Sequence, residues 1–321
     1  MNTDYKRILI TGGAGQIGTE LTLAFRNHYG NENVFCTDIR ADVPDFLKVD
    51  GNYDILNVLN YDDLRDFIKM RNIDAIVHLA AILSGRGEEN PFNCWNVNTV
   101  SAMNVFKIGI EQSIKRIFIP SSMAAWGLGI EPDNVPQASI LRPTSIYGVS
   151  KVAIERLAEY FFLKNGLDTR GVRFPGLISS EAMPGGGTTD YAVEIFYDAI
   201  SKKHYKSFIN KGTILPMMYM ADAIKSVILL MEADISTLRY HGDYNIAALS
   251  FAPEDLAAEI KKFIPEFTIE YEPDFRQKIA ESWPHSIDDT EAREDWNWSP
   301  DYGLYTMVED MIGKLSKRIA N

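Results

Sequence analysis

The sequence predicts an α/β fold: a Rossmann-type, doubly wound parallel sheet with a smaller mixed C-terminal substrate lobe. Three observations support this. Short apolar runs alternate with amphipathic segments, a glycine-rich turn follows the first apolar run, and the alternation stops near Pro175. Strands that are apolar throughout are typical of parallel sheets covered by helices on both faces. We therefore expect a Rossmann domain over residues 1–175 and a substrate lobe over 176–321, partly interleaved with it.

The expected elements follow in order along the chain. Strands are predicted over 6–11, 33–38, 73–80, 116–122 and 169–174, with 46–50 as a further candidate. Helices are predicted from the glycine-rich turn to about residue 29 and over 60–70, 91–113 and 144–165. Asn60, for example, is a typical N-cap, and Leu64, Phe67 and Ile68 follow it at helical spacing. The second half is predicted to hold helices over 219–232, 252–263 and 303–318 and a strand over 243–246.

Composition and charge limit the partners of the chain. It has 321 residues and a net charge of −12, and such an acidic surface repels nucleic acid and anionic membranes. We expect a small-molecule substrate, with no nucleic acid and no membrane as partner. No apolar stretch approaches the roughly 20 residues that span a bilayer, and no targeting segment is recognisable. Cys36 and Cys94 lack CxxC partners, which favours a reducing compartment, and we expect the cytoplasm.

The glycine-rich turn has the spacing of a dinucleotide-binding loop. Gly12, Gly15 and Gly18 form G-x-x-G-x-x-G between the first predicted strand and the first predicted helix. Glycine allows the backbone to approach a pyrophosphate, and the helix start at Gln16 and Ile17 offers N–H groups to the phosphates. The motif alone is weak evidence, but the clear strand and helix around it strengthen the prediction. The alternative is a glycine-rich turn without a ligand.

Asp38 ends the second predicted strand, twenty residues after Gly18. A carboxylate at this position accepts hydrogen bonds from the adenosine ribose hydroxyls and repels a 2′-phosphate. The sequence therefore favours NAD over NADP as cofactor. Arg40 complicates the choice, because arginine can pair with that phosphate; the alternative is a solvated surface charge.

Tyr147 and Lys151 are four residues apart on a predicted helix, so they share one face. An ammonium beside a phenol lowers its pKa from about 10, which makes the phenolate available as a base. Y-x-x-x-K is common by chance, and an ordinary helix-surface pair is the alternative. Ser121 and Ser122 end a predicted strand, at the edge where ligands bind in open α/β sheets. Either serine could orient a substrate oxygen or be a simple turn residue.

These motifs together resemble the extended short-chain dehydrogenase/reductase superfamily of NAD-dependent epimerases and dehydratases. The resemblance rests on residues 11–18, Asp38, 78–81, 120–127, the Tyr147–Lys151 pair and 172–176. It implies that Ser122, five residues before Gly127, is the third member of a catalytic triad with Tyr147 and Lys151. It also implies that Leu79, Ala80 and Ala81 run beneath the cofactor and that His78 is a strand residue.

Longer strings in the chain resemble one branch, the short-chain-type L-threonine 3-dehydrogenases. They cover residues 83–91, 173–179, 184–200, 215–223 and 282–289. The resemblance implies that L-threonine is oxidised at its β-carbon to 2-amino-3-oxobutanoate, with NAD as cofactor. It further implies that Tyr147 takes the alcohol proton, that Ser122 hydrogen-bonds the same oxygen, and that Lys151 lowers the tyrosine pKa and holds the nicotinamide ribose.

A small zwitterionic substrate requires a small polar pocket. Candidates are Ser84 after the fourth sheet strand, Thr188 and Thr189 after three glycines, and Trp283, which the resemblance places over the pocket. Each has a structural alternative. Ser84 can cap a loop, the threonines can cap a helix that starts near Tyr191, and Trp283 can belong to the core of the lobe.

No metal site is expected, because the five histidines are scattered and neither cysteine has ligand spacing with them. The helices over 91–113 and 144–165 are long, and the resemblance implies a homodimer through them. Two alternatives to the dehydrogenase remain. One is an NAD-dependent nucleotide-sugar epimerase or dehydratase, which requires a larger lobe with arginines for a diphosphate. The other is a redox-sensing module without turnover.

Overall fold

The computed structural model describes residues 4–181 and 185–320. Its strands are β1 Ile8–Thr11, β2 Val34–Asp38, β3 Tyr53–Ile55, β4 Ala75–His78, β5 Arg116–Phe118, β6 Ser121–Ser122, β7 Thr169–Arg170, β8 Val172–Phe174, β9 Gly176–Ile178, β10 His204–Ser207, β11 Leu215–Tyr219, β12 Tyr244–Asn245, β13 Leu249–Phe251 and β14 Thr268–Tyr271. Its α-helices are α1 Gln16–Tyr29, α2 Tyr61–Arg71, α3 Ser84–Glu89, α4 Pro91–Trp95, α5 Ser101–Glu111, α6 Ile146–Asn165, α7 Tyr191–Lys202, α8 Met220–Glu232, α9 Pro253–Lys261, α10 Arg276–Ala280, α11 Thr290–Trp296 and α12 Leu304–Ala320. Residue 184, which opens one of the dehydrogenase-like strings, and residue 321, which ends the predicted lobe, lie outside the described ranges.

The central sheet has the strand order β3-β2-β1-β4-β5-β7, and all its strands are parallel. The chain leaves β1 toward β2 and β3 and then returns to β4 on the other side. This reversal leaves a crevice outside the carboxyl ends of β1 and β4, where ligands bind in such sheets. The predicted Rossmann-type fold is confirmed, and its crevice lies next to the glycine-rich turn.

A second parallel sheet, β12-β8-β6, continues the first. Only Ile119 and Pro120 separate β6 from β5, and Gly171 alone separates β8 from β7. The strand β12 comes from the second half of the chain, yet it pairs with β8. The remaining strands form two small sheets, β13-β11-β9 and β10-β14. The lobe is therefore interleaved with the Rossmann sheet.

Both faces of the sheet are buried. Ile8 and Ile10 face one cluster with Phe25 of α1, whereas Leu9 faces another with Phe106 of α5. This alternation follows from the two-residue period of a strand. A third cluster fills the lobe between α7, α9 and α12. The sheet is therefore a rigid base for whatever binds at its edge.

Four sequence-based expectations differ from the structure. The strands expected over 116–122 and 169–174 are each divided between two sheets. Residues 46–50 were expected as a strand but lie within a 3-10 helix, Asp45–Gly51, and the third strand is β3. Leu47 is buried while Phe46 and Val49 are largely exposed, which is not the alternation of a strand. The expected helix over 91–113 is α4 and α5 joined by a π-helical turn, Asn96–Val100. Hydrophobic periodicity does not reveal a single π turn.

Candidate active site

A cleft of about 190 Å³, partly open to solvent, lies at the carboxyl edge of the sheet beneath the lobe. We call it the sheet-edge cleft. Most of the sequence-predicted site residues line it: Gly12, Gly15, Gln16, Ile17, Gly18, Leu79, Ala81, Ser84, Ser122, Tyr147, Lys151, Thr188, Thr189 and Trp283. Asp38 and Ala80 do not line the cleft, but both contact the glycine-rich turn. Residues far apart in the sequence thus meet around one space.

The glycine-rich turn has no room for side chains at two of its positions. A Cβ atom on Gly12 would lie 2.6 Å from the backbone nitrogen of Ala80, and one on Gly18 would lie 2.4 Å from the carbonyl oxygen of Gly12. Gly12 also has a φ of 68°, which favours glycine. Gly15 is the N-cap of α1 and brings no side chain between the helix start and the cleft. The turn therefore forms a bare backbone cradle at a helix N-terminus, which fits a pyrophosphate.

Asp38 lies at the end of β2 with its carboxylate against this cradle. One oxygen accepts a hydrogen bond from the backbone N–H of Ala14 at 3.1 Å. The other accepts from the backbone N–H of Arg40 at 3.2 Å and from Arg40 Nε at 3.3 Å. Carboxylate oxygens have about four acceptor positions, so capacity remains for a ribose hydroxyl. Arg40, which was expected to be a solvated charge or a phosphate partner, is half-exposed and paired with Asp38.

Ser122 and Tyr147 meet inside the cleft. Tyr147 lies in the first turn of α6, whose start is fixed by the Ser145 hydroxyl accepting from the backbone N–H of Gly148 at 3.1 Å. Ser122 ends β6, and its side chain lies beside the Tyr147 phenol and lowers the pKa of that phenol. The same hydroxyl accepts from the backbone N–H of Ala124 at 3.2 Å. This arrangement brings a phenol and a hydroxyl together where a substrate oxygen can contact both.

Lys151 is buried on the same face of α6. Its Nζ donates a hydrogen bond to the carbonyl oxygen of Pro120 at 2.7 Å and lies 5.4 Å from the centre of the Tyr147 ring. Burial lowers the pKa of Lys151 to about 8, although Cys94 and Glu155 raise it. At neutral pH the ammonium form therefore predominates.

The pKa of Tyr147 differs from the sequence-based expectation. Burial raises it to about 12, and this effect outweighs the hydrogen bond from Ser122, which lowers it. We expected Lys151 to lower it, but the ammonium group is directed to the carbonyl of Pro120. The phenol is therefore neutral at pH 7 in this structure, and further stabilisation of the phenolate is needed before it can act as a base.

His78 has a structural environment. It ends β4, and its ring nitrogens bond the Thr11 hydroxyl at 2.7 Å and the Ser101 hydroxyl at 2.9 Å. Burial lowers the pKa of His78 to about 3, so the ring is neutral over the physiological range. As expected, His78 is a strand residue.

The polar side of the cleft joins α3 to the start of α7. The Ser84 hydroxyl lies 3.4 Å from the Thr188 hydroxyl, and both side chains are buried. The two segments approach closely, because a Cβ on Gly85 would lie 2.3 Å from the carbonyl oxygen of Gly186. The glycines are held by Asp190, which accepts from the backbone N–H groups of Gly186 and Gly187 at 2.8 and 2.7 Å.

These contacts bear on the structural alternatives. The N-cap of α3 is Leu83 and that of α7 is Asp190, so neither Ser84 nor the two threonines occupies a capping position. Trp283 lines the cleft and also packs in the core of the lobe. The tryptophan is therefore a core residue that also borders the cleft.

Sequence reasoning missed Asn98, which is buried behind the cleft and joins the segment before α3 to α6. Its amide accepts from the backbone N–H of Ile82 at 2.8 Å and donates to the carbonyl of Ile82 and the hydroxyl of Ser150, both at 3.1 Å. Asn98 lies in the π turn, which explains why helix periodicity gave no signal. The lining residues that were not predicted are Leu83, Pro120, Met123, Phe174, Pro175, Gly176, Leu177, Gly187 and Asp190, whereas Ser121 was one of two serine candidates.

Neither a membrane-spanning helix nor a metal site is found in the described residues. In residues 4–181 and 185–320, no helix has the length and apolar character needed to cross a membrane. Within the same ranges, no group of three or more His, Cys, Asp and Glu side chains is arranged to hold a metal ion.

Comparisons with known proteins agree with this geometry. The model of the NAD-dependent epimerase/dehydratase family matches residues 8–247. An uncharacterized epimerase/dehydratase of Staphylococcus haemolyticus is 45% identical over 98% of this chain and 99% of its own length. The structure of L-threonine dehydrogenase from Clostridium difficile is 45% identical, with a TM-score of 0.95 over 98% of this chain and 99% of that one. L-threonine dehydrogenase from Phytophthora infestans is 46% identical, with a TM-score of 0.94 over 97% and 99%.

Proposed function

The chain belongs to the NAD-dependent epimerase/dehydratase family, and we propose that it is an L-threonine 3-dehydrogenase that oxidises the β-carbon of L-threonine to 2-amino-3-oxobutanoate. NAD is the cofactor. The observation that carries the proposal is the meeting of Ser122, Tyr147 and Lys151 with a small polar pocket in one cleft. About 45% identity over nearly the whole chain to L-threonine dehydrogenases supports the choice of substrate.

The residues present fit the cofactor. The cradle of Gly12, Gly15 and Gly18 offers backbone N–H groups and a helix start to the pyrophosphate, and Asp38 offers carboxylate oxygens to the adenosine ribose. We propose that Lys151 and Tyr147 hold the nicotinamide ribose and that Leu79 and Ala81 pack beneath it. When bound, NAD⁺ supplies the hydride acceptor and a positive charge beside the phenol.

Tyr147 is the proposed base for the threonine hydroxyl. Moving its pKa from about 12 to near 8 requires about 5 kcal/mol of differential stabilisation of the phenolate. The lowering effect of Ser122 is already part of the value of about 12, so the further stabilisation comes from the charge of Lys151 and from that of the oxidised cofactor. Tyr147 then removes the proton of the threonine hydroxyl while the hydride leaves the carbon that bears this hydroxyl. Ser122 holds the hydroxyl oxygen in place.

The polar pocket suits a small zwitterion. Ser84 and Thr188 present hydroxyls 3.4 Å apart, and Thr189 and Trp283 border the same space. We propose that these side chains bind the carboxylate and ammonium groups of L-threonine and orient its β-carbon. Hydroxyl groups suit both charges, since each one donates and accepts.

An absorbance assay tests the function. The purified protein, NAD⁺ and L-threonine are mixed with a metal chelator, and NADH is followed. Formation of NADH with L-threonine, but not with D-threonine or L-serine at the same concentration, supports the proposal. Absence of NADH while NAD⁺ still binds would contradict it and favour the nucleotide-sugar alternative, to be examined with UDP- and GDP-sugars. Binding of NAD⁺ without turnover of any of these would favour a redox-sensing module.

We also propose a homodimer through α4, α5 and α6. Phe92, Trp95 and Met103 are exposed on the first pair, and Tyr160 and Leu163 are exposed on α6. Adjacent helices with exposed apolar stripes can pair across a two-fold axis as a four-helix bundle. A monomeric L-threonine 3-dehydrogenase from a metagenome is 40% identical to this chain, so the fold alone does not dictate the dimer. Sedimentation measurements on the wild type and on Leu163→Glu test the homodimer. A monomeric wild type would contradict the proposal.

The cytoplasm is the proposed location. Cys36 and Cys94 are both free and buried, which suits a reducing compartment. Fractionation of cells followed by detection of the protein tests this, and recovery outside the cytoplasm would contradict it.

A further inference from the structure

A buried charge network lies behind the sheet-edge cleft. Its centre is Glu155, whose side chain is 1% exposed. Arg173 donates two hydrogen bonds to it, from Nε to one carboxylate oxygen at 2.9 Å and from an Nη to the other at 2.8 Å. The Ser121 hydroxyl also donates to Glu155. Arg173 is further bonded to Asp243 at 3.2 Å and to the side chain of Asn245 at 3.1 Å.

This network joins the elements that carry the proposed catalytic groups. Glu155 lies on α6, one turn after Lys151 and two turns after Tyr147. Ser121 lies on β6 between Pro120 and Ser122. The carbonyl of Pro120 accepts from Lys151, and Ser122 lowers the pKa of Tyr147. Arg173 lies on β8, opposite Ser121 in the register of the two strands. One carboxylate thus connects α6, β6 and β8 immediately beneath the reacting groups.

Stability alone is a weak explanation for such a network. Removing two charges from water is costly, and replacing a buried ion pair by apolar side chains of similar volume is often neutral or stabilising. Glu155 shows this cost, because burial raises its pKa and outweighs the lowering effect of Arg173. A role in holding geometry or charge explains the position of the pair next to Lys151 better than a gain in stability does.

We propose that Glu155 is a positioning residue for the reaction: clamped by Arg173, it fixes the end of β6 against α6 and keeps a negative charge one turn from Lys151. This inference rests on the proposed function. The charge of Glu155 raises the pKa of Lys151 against the effect of burial. A displacement of about 1 Å between reacting groups costs on the order of 10²-fold in rate.

Other charged and titratable groups face this pair from every packed element. Around Glu155 they are Arg173 from β8, Asp243 from the segment before β12, and Arg156 from its own helix. Around Lys151 they are His78 from β4 and Cys94 from α4, besides Tyr147 and Glu155. Burial raises the pKa of Cys94 and lowers that of His78. Cys94 and Glu155 each raise the pKa of Lys151, and Glu155 is the carboxylate of the two.

The test uses Glu155→Gln, which keeps the shape of the side chain and removes its charge. We expect kcat for threonine oxidation at pH 7 to fall by about 10- to 100-fold. NADH binding should weaken above the pH at which Lys151 loses its proton. We expect this pH to be about one unit lower in Glu155→Gln than in the wild type. Asp243→Asn is the matched control, because it removes a charge from the same network without contacting Ser121. It should retain the pH dependence of the wild type.

The two readouts separate this inference from the proposed function. NADH binding, followed by fluorescence against pH, does not require threonine, so it reports on Glu155 even if the wild type fails to oxidise threonine. If Glu155→Gln does not fold, Ser121→Ala cuts the link to β6 while leaving the ion pair intact, and a loss in kcat of at least tenfold is expected. Three results would each overturn the inference. They are a wild-type pH dependence of NADH binding in Glu155→Gln, an equal shift of that dependence in Asp243→Asn, and a wild-type kcat in Ser121→Ala.

Discussion

Ser122 lies beside the Tyr147 phenol and lowers its pKa, yet the phenol stays neutral at pH 7. Burial has the larger effect and raises the pKa of Tyr147 to about 12. In the proposed reaction the tyrosine is thus activated only when further positive charge reaches it. Without that charge Tyr147 is not a base at neutral pH.

Replacing Tyr147 by phenylalanine removes the proposed base and leaves the ring. We expect kcat to fall by about 10³-fold or more, since positioned acid–base groups contribute roughly 10²–10⁴, while the dissociation constant of NAD⁺ rises by at most about tenfold, the effect of one lost hydrogen bond to the ribose. Steady-state kinetics and fluorescence titration measure the two. Tyr160→Phe, at an exposed position on the same helix, is the control, and comparable kinetics in both variants would rule out Tyr147 as the base.

Replacing Ser122 by alanine should change the pH dependence as well as the rate. The hydrogen bond lowers the pKa of Tyr147, so its loss raises that pKa. Because activity rises with pH as the phenolate forms, the rising limb of the kcat profile should move to higher pH, by about one unit. Profiles of Ser122→Ala and of exposed Ser250→Ala provide the comparison. A shift to lower pH in the first variant would contradict the assigned role.

Asp38→Ala should weaken selectivity for NAD⁺ over NADP⁺. The change removes the ribose acceptor and frees Arg40, which now pairs with Asp38 at 3.3 Å and could then contact a 2′-phosphate. We expect the NAD⁺ dissociation constant to rise about tenfold or more and that of NADP⁺ to fall. Titrations with both nucleotides measure this, with exposed Asp42→Ala as control. Unchanged selectivity in Asp38→Ala would place the ribose contact elsewhere.

Gly18→Ala tests whether the bare backbone cradle is required. The new Cβ would lie 2.4 Å from the carbonyl oxygen of Gly12, so the turn must shift. We expect loss of NAD⁺ binding and a decrease of about 2 kcal/mol in the free energy of unfolding. Gly313→Ala in α12 is a matched control, since no atom lies within 4 Å of its Cβ, and it should stabilise by about 0.5–1 kcal/mol. Similar thermal shifts for both variants would contradict this account of the cradle.

The sequence predicted the fold and several residues of the sheet-edge cleft, because both depend on local sequence patterns and on the ends of strands. Apolar runs and the glycine spacing are local patterns, and strand ends converge by topology, so Gly12, Tyr147 and one of the pair Ser121 and Ser122 were predicted together. The family resemblance then implied Ser122. Asn98 and Glu155 were missed because their roles come from contacts across the fold. A π turn directs Asn98 to Ile82, and Glu155 meets Arg173 and Ser121 only after three elements pack. The pKa of Tyr147 was also mispredicted, since a spacing of four residues shows proximity but not the extent of burial.

Transfer of deuterium tests the central claim most directly. L-threonine labelled with deuterium at the β-carbon is incubated with the protein and NAD⁺, and the reduced nucleotide is isolated and analysed by mass spectrometry. The proposed reaction predicts one deuterium in each reduced nucleotide and an amino ketone product in equal amount. Reduced nucleotide without deuterium, or no reduction while the protein binds NAD⁺, would contradict the assignment of the threonine β-carbon as the hydride donor.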